Sequence, residues 1–458
     1  MFISRESFIE EVARHINDNT AALFLGAGVS ASTGLPSWAE ILKPLAKKLE
    51  IEITPDTDLY QIAQFYNNKY KRNEIVREYE KRIGVVSEES EYLLAAINLG
   101  FREIWTTNYD RVIEACLEKR KISPKIVNSD HNINALSSDG VHILKLNGDI
   151  GDPANMVITK EDLEKYPTTH ELMLTFLKKE LVSKSFLFLG YSFSDSLILS
   201  NLASIKNCLG DSCTTHYTIL EKDNKNKYFI DDLCNRYNIQ ALLIDSRDDF
   251  PQILKDIKSK CTERRIFISG SFDSLPSIED DFADKLCYSL VEQLYENDFI
   301  IASGMGRKLG NYLAGHAYAY LTQTNPFDIE RKLLLRPFYE KMEEYNKSNH
   351  RYSMISECNI CLFLFGKSPS TDNKILTSKG VIEEFEIASK LNKAIIPLPT
   401  TKYAAKEIYD KVFNNKINYP YLEPYWNSLS SSTDPKELSS IVINICDDYL
   451  KCQNQALW

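Results

Sequence analysis

The amino-acid sequence predicts an α/β protein of two domains, each a mostly parallel sheet flanked by helices. Short apolar runs rich in β-branched and aromatic residues alternate with longer amphipathic stretches, which is typical of buried parallel strands connected by helices. This alternation starts again near residue 262. At 458 residues, the chain is also longer than one ordinary hydrophobic core accommodates.

The first half of the chain contains the apolar runs that we predict to be strands of the first sheet. They are Ala21–Leu25, Arg102–Thr106, Val141–Leu146, Phe186–Leu189, His216–Leu220 and Gln240–Ile244. Helical patterns occupy the stretches between and after them, including Trp38–Leu49, Leu172–Leu181 and Phe250–Lys260. Ligands of an open α/β sheet bind beyond the carboxyl ends of its strands. The residues that directly follow each run are therefore candidate site residues.

The same pattern restarts in the second half. A polar segment, Lys260–Arg264, precedes a new apolar run at Arg265–Ser269. Further runs follow at Phe299–Ala302, Leu333–Leu335, Ile360–Phe365 and Ala394–Pro397. We place a domain boundary in the polar segment, with one domain at 1–262 and the other at 263–458.

Composition and charge exclude several classes of protein. The chain has 64 acidic and 54 basic residues, whereas a protein that binds nucleic acid usually has a basic excess. Its ten cysteines are too sparse for a disulfide scaffold in a chain of this length. No apolar run approaches the roughly 20 residues that span a bilayer, and the N-terminus lacks a signal-peptide pattern. We expect a cytoplasmic protein that binds neither nucleic acid nor a membrane.

The segment after the first run has the most specific pattern in the chain. A buried strand leads into Gly26-Ala27-Gly28, a turn whose backbone N–H groups can approach a pyrophosphate at a helix N-terminus. The pattern continues through Ser30 and Gly34 to a proline. The whole of it, Gly-Ala-Gly-x-Ser-x-x-x-Gly-x-Pro, resembles the NAD-binding loop of sirtuins.

Three further segments lie after strands in the order that the sirtuin family requires. Thr106-Thr107-Asn108-Tyr109-Asp110 resembles its Thr-x-Asn-x-Asp motif. Asn147-Gly148 matches its His-Gly motif except at the first residue, and Gly190-Tyr191-Ser192 matches the Gly-x-Ser loop near the adenosine-side ribose. Each could be ordinary turn chemistry by itself, but their order makes coincidence a poor explanation.

The resemblance implies cleavage of NAD, as substrate, to nicotinamide and ADP-ribose. The catalytic residues would be Asn108, which positions water or a ribose hydroxyl, Asp110 at the nicotinamide end, and the residue at 147. The predicted NAD-binding set is Gly26, Ala27, Gly28, Ser30, Thr107, Asn108, Asp110 and Ser192.

Two departures from the family pattern matter. The paired Cys-x-x-Cys zinc module of deacetylating sirtuins is missing, so we expect no metal. Asn147 stands where the family has its catalytic histidine, and an amide cannot accept a proton near neutral pH. If that histidine is the general base, turnover should fall by about 10²–10⁴-fold. We therefore interpret this chain as inactive or weakened, through a substitution that is either natural or engineered.

The second half carries glycine turns after its first two strands, Ser269-Gly270-Ser271 and Gly304-Met305-Gly306. Such turns again form backbone anion sites, so both domains are expected to be Rossmann-like. Together with Leu335-Arg336-Pro337-Phe338 and the segment 379–385, they resemble the SLOG family of nucleotide-binding domains. The Pro-Gly-Gly-x-Gly-Thr loop of the related phosphoribohydrolases is absent, which favours sensing over catalysis.

A sirtuin-like domain followed by a SLOG domain resembles the Thoeris A family of bacterial anti-phage defence. In that family a TIR-domain partner makes a cyclic ADP-ribose isomer, which the SLOG domain binds, and the activated enzyme depletes NAD. The family assembles as homotetramers, with filaments on activation. The resemblance implies an effector site formed by Ser269, Gly270, Ser271, Gly304, Gly306, Arg336, Arg351, Lys367 and Glu384. Lys367 matches least securely, and Arg351 could instead be a solvated surface charge.

Two other functions stay open. A non-catalytic NAD or nucleotide sensor is favoured by Asn147. An NAD-dependent deacylase is disfavoured by the missing zinc module.

Overall fold

The computed structural model describes residues 3–55, 57–84, 89–137, 139–222, 227–339, 341–368 and 376–456. The chain divides into two compact units, Met1–Cys261 and Thr262–Trp458, which we call the first and second units. The boundary placed from the sequence lies one residue from this division. Among the described residues, no helix is both long enough and apolar enough to cross a membrane.

The first unit is built on a parallel seven-stranded sheet in the order β3-β4-β2-β1-β5-β6-β7. Its strands are β1 Ala21–Leu25, β2 Glu103–Thr106, β3 Lys125–Val127, β4 His142–Lys145, β5 Ser185–Leu189, β6 His216–Glu221 and β7 Ile239–Ile244. Every strand predicted in this half forms, with ends shifted by no more than one residue. The sequence missed β3, because a three-residue edge strand that begins with an exposed lysine has no apolar run. Since β1 lies between β2 and β5, and β4 lies beside β2, the four motif loops leave one edge of the sheet.

Helices connect these strands and cover both faces of the sheet. They are α1 Arg5–Asn17, α2 Ala27–Ala31, α3 Trp38–Lys48, α4 Leu59–Lys69, α5 Arg72–Ile83, α6 Glu91–Asn98, α7 Val112–Lys119, α8 Lys160–Thr169, α9 Glu171–Ser183, α10 Ser196–Leu209, α11 Lys227–Tyr237 and α12 Phe250–Thr262.

Helices α3, α4 and α5 form a small core of their own. Buried side chains such as Leu42, Tyr66 and Tyr79 pack there with Tyr109, from the loop after β2. Helix α4 begins where the Asp58 carboxylate accepts a hydrogen bond from the Gln61 N–H at 3.1 Å, an ordinary N-cap. This helical layer therefore stands directly against the loops that carry the sequence motifs.

The second unit is built on a parallel five-stranded sheet in the order β10-β9-β8-β11-β14, together with the antiparallel pair β12–β13. Its strands are β8 Arg265–Ser271, β9 Ile300–Ser303, β10 Leu333–Leu335, β11 Ile360–Phe365, β12 Lys367–Ser368, β13 Leu376–Thr377 and β14 Ala394–Pro397. Its helices are α13 Ser277–Glu296, α14 Arg307–Thr324, α15 Ile329–Lys332, α16 Glu344–Ser356, α17 Lys379–Lys390, α18 Tyr403–Asn414, α19 Trp426–Ser431 and α20 Pro435–Ala456. The five strands predicted from apolar runs all form. The predicted fold class, α/β with two mostly parallel sheets flanked by helices, is confirmed.

The polar segment Lys260–Arg264 contains the end of a helix that is longer than predicted. Helix α12 continues through Thr262, and β8 begins at Arg265. The buried positions Ile253, Leu254, Ile257 and Cys261 keep the helical spacing to its end, which extends the helix beyond the polar residues that appeared to end it.

Candidate functional site

The loops after β1 and β5 are interlocked through three glycines. The N–H of Gly26 donates to the Leu189 carbonyl, and the N–H of Gly28 donates to the Gly190 carbonyl, each at 2.8 Å. A Cβ on Gly26 would lie 2.5 Å from the Gly190 oxygen, and one on Gly190 would lie 2.6 Å from the Val29 nitrogen. Glycine is therefore required here by the close approach of two backbones.

This geometry changes the expected role of the Gly-x-Gly turn. The amides of Gly26 and Gly28 were expected to face a pyrophosphate, but both are engaged by the neighbouring loop. The exposed part of the turn is Ala27 and Gly28, at the start of the five-residue helix α2. Ser192, expected near a ribose, is also exposed, and its hydroxyl lies 2.7 Å from that of Ser194.

Asn108 is held between β2 and α2 by a short series of hydrogen bonds. The Thr106 hydroxyl donates to the Leu25 carbonyl at 2.7 Å and accepts from the Asn108 N–H at 3.0 Å. The Asn108 side-chain amide donates to the Ser30 hydroxyl at 2.9 Å. The Asn108 and Ser30 side chains are both buried, and Thr107 is half-buried. The structure thus brings together two residues that the sequence motifs only placed in order.

A buried ionic cluster lies beneath these loops. The Lys145 ammonium has no exposed surface, contacts Glu114 Oε1 at 2.9 Å, and donates to the Asp149 carboxylate and the Asp110 carbonyl. Arg111 pairs with the other oxygen of Asp149 at 2.7 Å. Burial opposes ionisation of Asp149, yet Lys145 and Arg111 hold its pKa below the usual value. Burial raises the pKa of Glu114 despite its contact with Lys145. The cluster ties the loop after β2, helix α7 and the loop after β4 together.

The predicted catalytic residue Asp110 uses its carboxylate within the protein. Its Oδ1 accepts a hydrogen bond at 3.1 Å from the N–H of Val112, the first residue of helix α7. The side chain is 7% exposed. A contact with the nicotinamide end of a substrate stays a prediction.

Asn147 follows β4 and is 6% exposed. Its side-chain amide donates to the Tyr60 hydroxyl of α4 at 3.2 Å, and its backbone carbonyl accepts a hydrogen bond from the Val157 N–H at 2.9 Å. The next residue, Gly148, has φ +90°, and a Cβ there would lie 2.7 Å from the Asn155 oxygen. Burial raises the pKa of the Tyr60 hydroxyl well above its ordinary value, so the hydroxyl keeps its proton.

Sequence reasoning missed both Tyr60 and the partners of Lys145. Tyr60 belongs to no motif, because it arrives from a helix about 90 residues away in the chain. Lys145 did carry a signal: it is a charge within an apolar run, and a buried charge requires partners. The partners themselves, on α7 and after β4, are fixed only by the fold.

In the second unit, three predicted effector residues, one each from β8, α16 and α17, lie in contact with one another. The Ser269 hydroxyl donates to Glu384 Oε2 at 2.6 Å, and the Arg351 Nε lies 3.5 Å from Glu384 Oε1. Arg351 also pairs with Glu383 at 2.7 Å and lies 5.0 Å from the centre of the Phe338 ring. The Arg351 side chain is 11% exposed, which excludes the alternative of a solvated surface charge.

The other predicted effector residues have mixed positions. Arg336 pairs with Glu357 at 2.7 Å, and Lys367 donates to the Ser274 carbonyl at 3.0 Å, so neither is directed at Arg351 by these contacts. Ser271 is buried at the end of β8. A Cβ on Gly304 would lie 2.8 Å from the Phe338 ring, one on Gly306 would lie 2.0 Å from the Gly270 oxygen, and one on Gly270 would lie 2.3 Å from the Leu364 oxygen.

The part of the chain that the structure describes contains no evident metal-binding site. Among these residues, no three or more histidine, cysteine, aspartate or glutamate side chains gather in an arrangement that could hold an ion.

Comparisons with known proteins agree with this two-unit organisation. Residues 102–242 match the family model of the SIR2-like domain, and residues 249–449 match the Sir2- and TIR-associating SLOG family. The protein named NAD(+) hydrolase ThsA of Acinetobacter baumannii is 30% identical over 438 residues, which cover 90% of this chain and 91% of that protein. The chain belongs to the ThsA family. The ThsA proteins of Cytobacillus dafuensis (30% identical, 92% of this chain, 90% of that protein) and Bacillus cereus (29%, 89% of each) are similar to it over the same extent.

Membership of the ThsA family, known as Thoeris A in anti-phage defence, confirms the resemblance drawn from the motifs. It extends over both units, whereas the motifs covered only the strand ends. The residue roles carried over from the family stay predictions.

We expect Lys145→Met to lower the free energy of unfolding by about 3–5 kcal/mol, because it leaves the Glu114 and Asp149 carboxylates buried without their shared cation. Urea denaturation of the full chain measures this. The control is Lys119→Met, whose ion pair with Glu89 is 3.9 Å long and half exposed, and should cost at most about 1 kcal/mol. Equal losses for the two variants would show that the cluster does not stabilise the fold.

Glu384 provides a second prediction, on pH dependence. Burial raises its pKa to about 6, from an ordinary 4.5, although Ser269 and Arg351 favour the charged form. When the pKa of a carboxyl group is higher in the folded chain than in the unfolded chain, the unfolded chain ionises first. The folded state therefore loses stability as the pH rises from 4.5 through 6. Glu384→Gln should therefore become more stable than the parent over that range, by about 2 kcal/mol above pH 7.

Thermal unfolding of the full chain at a series of pH values from 4.5 to 8 tests this. Glu383→Gln is the matched control, since it removes the neighbouring carboxylate that pairs with Arg351 and should give no gain. A pH-independent difference between Glu384→Gln and the parent would contradict the assignment.

Proposed function

We propose that this protein belongs to an NAD-hydrolysing system of anti-phage defence, with the catalytic site in the first unit and a nucleotide-sensing site in the second. Two observations together support this proposal: the family to which the chain belongs, and the position of the motif loops on the first sheet. Relatives named NAD(+) hydrolase match nine-tenths of the chain, and the loops that carry Ser30, Asn108 and Asn147 leave neighbouring parallel strands at the same edge of the sheet. NAD is then the substrate, and no metal is required.

Hydrolysis adds water across the bond between the nicotinamide nitrogen and ribose C1′. The C–N bond breaks through an oxocarbenium-like state, the water oxygen forms the new C–O bond, and the water proton passes to a base. Asn108 would hold the water or a ribose hydroxyl in place. Ala27 and Gly28 are the exposed part of the loop against which the pyrophosphate would lie.

Asn147 stands where the base would be, and an amide has no proton affinity near neutral pH. The chain is therefore expected to bind NAD but to turn it over about 10²–10⁴-fold more slowly than with histidine there. A second function, a non-catalytic sensor of NAD or a related nucleotide, is favoured by this one residue. The two functions differ in whether histidine restores turnover.

In the second unit, the buried set of Ser269, Arg351 and Glu384 supports binding of a dinucleotide-like signal. A guanidinium suits a phosphate through paired hydrogen bonds, and a carboxylate suits ribose hydroxyls. We take the signal to be a cyclic ADP-ribose isomer made by a TIR-domain partner, acting on a cytoplasmic homotetramer that extends into filaments. Binding must favour the active assembly over the resting one, since equal affinity for both shifts no population.

Asn147→His should raise nicotinamide release from NAD by at least about tenfold in the presence of the cyclic ADP-ribose isomer, because it supplies the missing proton acceptor. Asn147→Gln is the control, as it changes the side chain without supplying a base, and should show no rise. Adding Asn108→Ala to the histidine variant should abolish the gain. Full activity of the parent chain would contradict the general-base assignment, and no gain with histidine would favour the sensor.

Arg351→Ala should weaken binding of the cyclic ADP-ribose isomer by about tenfold or more, because it removes a charge-assisted contact from a buried site. Calorimetry on the full chain measures the change. Arg331→Ala is the control, since its ion pair with Asp328 is exposed. In the Asn147→His background, Arg351→Ala should raise the signal concentration needed for activation while the KM for NAD stays the same. Unchanged affinity would place the signal elsewhere.

A further inference from the structure

The guanidinium of Arg351 is enclosed by the protein but incompletely paired. Its Nη1 donates to Glu383 Oε2 at 2.7 Å. Its Nε is buried and lies 3.5 Å from Glu384 Oε1, without a hydrogen-bond partner among the described residues. Its Nη2 lies against Gly380 in the first turn of α17, where a Cβ would be 2.7 Å away. Within the described part of the chain, the contact with Glu383 is therefore the only hydrogen bond that this guanidinium makes.

The two carboxylates beside Arg351 are held in different ways. Glu384 accepts a hydrogen bond from the Ser269 hydroxyl at 2.6 Å, and its side chain is 9% exposed. The side chain of Glu383 is 32% exposed, and its other oxygen accepts a hydrogen bond from the Ser348 hydroxyl of α16. Water can reach Glu383 when it leaves Arg351, whereas Glu384 without Arg351 would be a buried charge without a cation. Glu383 is thus the carboxylate that can withdraw at the lower cost.

Two carboxylates beside one guanidinium also give the site an excess of negative charge. Burial and the neighbouring charge of Glu383 raise the pKa of Glu384 to about 6, although Ser269 and Arg351 favour the charged form. An incoming phosphate meets this negative charge unless one carboxylate withdraws. A phosphate also brings more acceptor oxygens than one carboxylate does, so it can engage donors of Arg351 that Glu383 leaves unpaired.

We propose that Glu383 occupies the anion position beside Arg351 until a phosphate-bearing ligand displaces it. This rests on the nucleotide-sensing site proposed above for the second unit. Glu383 sets the ligand concentration at which the site fills, because every binding event must break its ion pair with Arg351. Glu384 keeps its place beside Ser269, where its carboxylate can accept hydrogen bonds from ribose hydroxyls.

Calorimetry of the full chain with a cyclic ADP-ribose isomer tests the displacement. Glu383→Gln removes the competing charge, and Glu383→Asp keeps the charge on a side chain that is one methylene shorter. Both variants should lower the Kd by about fivefold or more, because the ligand no longer has to break the full ion pair. The matched control is Glu386→Gln, which removes an exposed carboxylate from the same helix and should change the Kd by less than about twofold.

A double-mutant cycle shows whether the gain acts through Arg351. Adding Glu383→Gln to the Arg351→Ala chain should give no gain in affinity, because no guanidinium remains for Glu383 to occupy. An equal gain with and without Arg351 would overturn the proposal, as would unchanged or weaker binding in both Glu383 variants. A gain in Glu383→Gln that Glu383→Asp does not share would be an effect of net charge and would also overturn it.

The failure of the proposed function can be distinguished from the failure of this proposal. If no cyclic ADP-ribose isomer binds to any of these chains, the proposed signal is wrong. Titration with inorganic pyrophosphate then decides the displacement, since pyrophosphate should bind Glu383→Gln at least about fivefold more tightly than the parent. Equal binding of pyrophosphate to the two chains, or binding to neither, would overturn the proposal.

Discussion

The ammonium group of Lys145 has no exposed surface, and it is the contact on which the geometry of the first unit depends. It holds the Glu114 and Asp149 carboxylates and the Asp110 carbonyl at once. A buried charge must be compensated, and removing one partner strands the others. Because the partners lie on α7 and on the loops after β2 and β4, the cluster joins the two loops that carry Asn108 and Asn147. Hydrogen bonds to Thr106, Ser30 and Tyr60 then hold the two asparagine residues within those loops.

The loops after β1 and β5 are held together by backbone hydrogen bonds instead of by charge. Gly26, Gly28 and Gly190 allow two strand-end loops to share backbone hydrogen bonds at distances that no side chain permits. Their amides are consumed in that contact. The part of the pattern that resembles a phosphate-binding turn is thus also the part that joins the loop after β1 to the loop after β5.

In the second unit, one of the predicted site residues lowers the stability of the fold instead of raising it. Glu384 is buried, and its pKa is raised, so its charged form costs folding free energy at neutral pH. Residues kept at such a cost are characteristic of functional sites, which supports the nucleotide-sensing site proposed for this unit. Glu383 and Glu384 both lie against the guanidinium of Arg351, so the proposed anionic signal would have to displace at least one of these carboxylates to pair with it.

The sequence by itself determined the two α/β domains, most of their strands and the four motif loops. Buried parallel strands leave continuous apolar runs, and the turns at their ends need particular residues. The short edge strand β3 and the pair β12–β13 leave no such run and were not predicted. Family membership could also be inferred from those motifs. Tertiary structure decided what the motif residues touch. Tyr60 reaches Asn147 from a helix 87 residues earlier in the chain, and Glu114 reaches Lys145 across 31 residues. Contacts of this kind depend on how helices pack on the sheet, which no local pattern records.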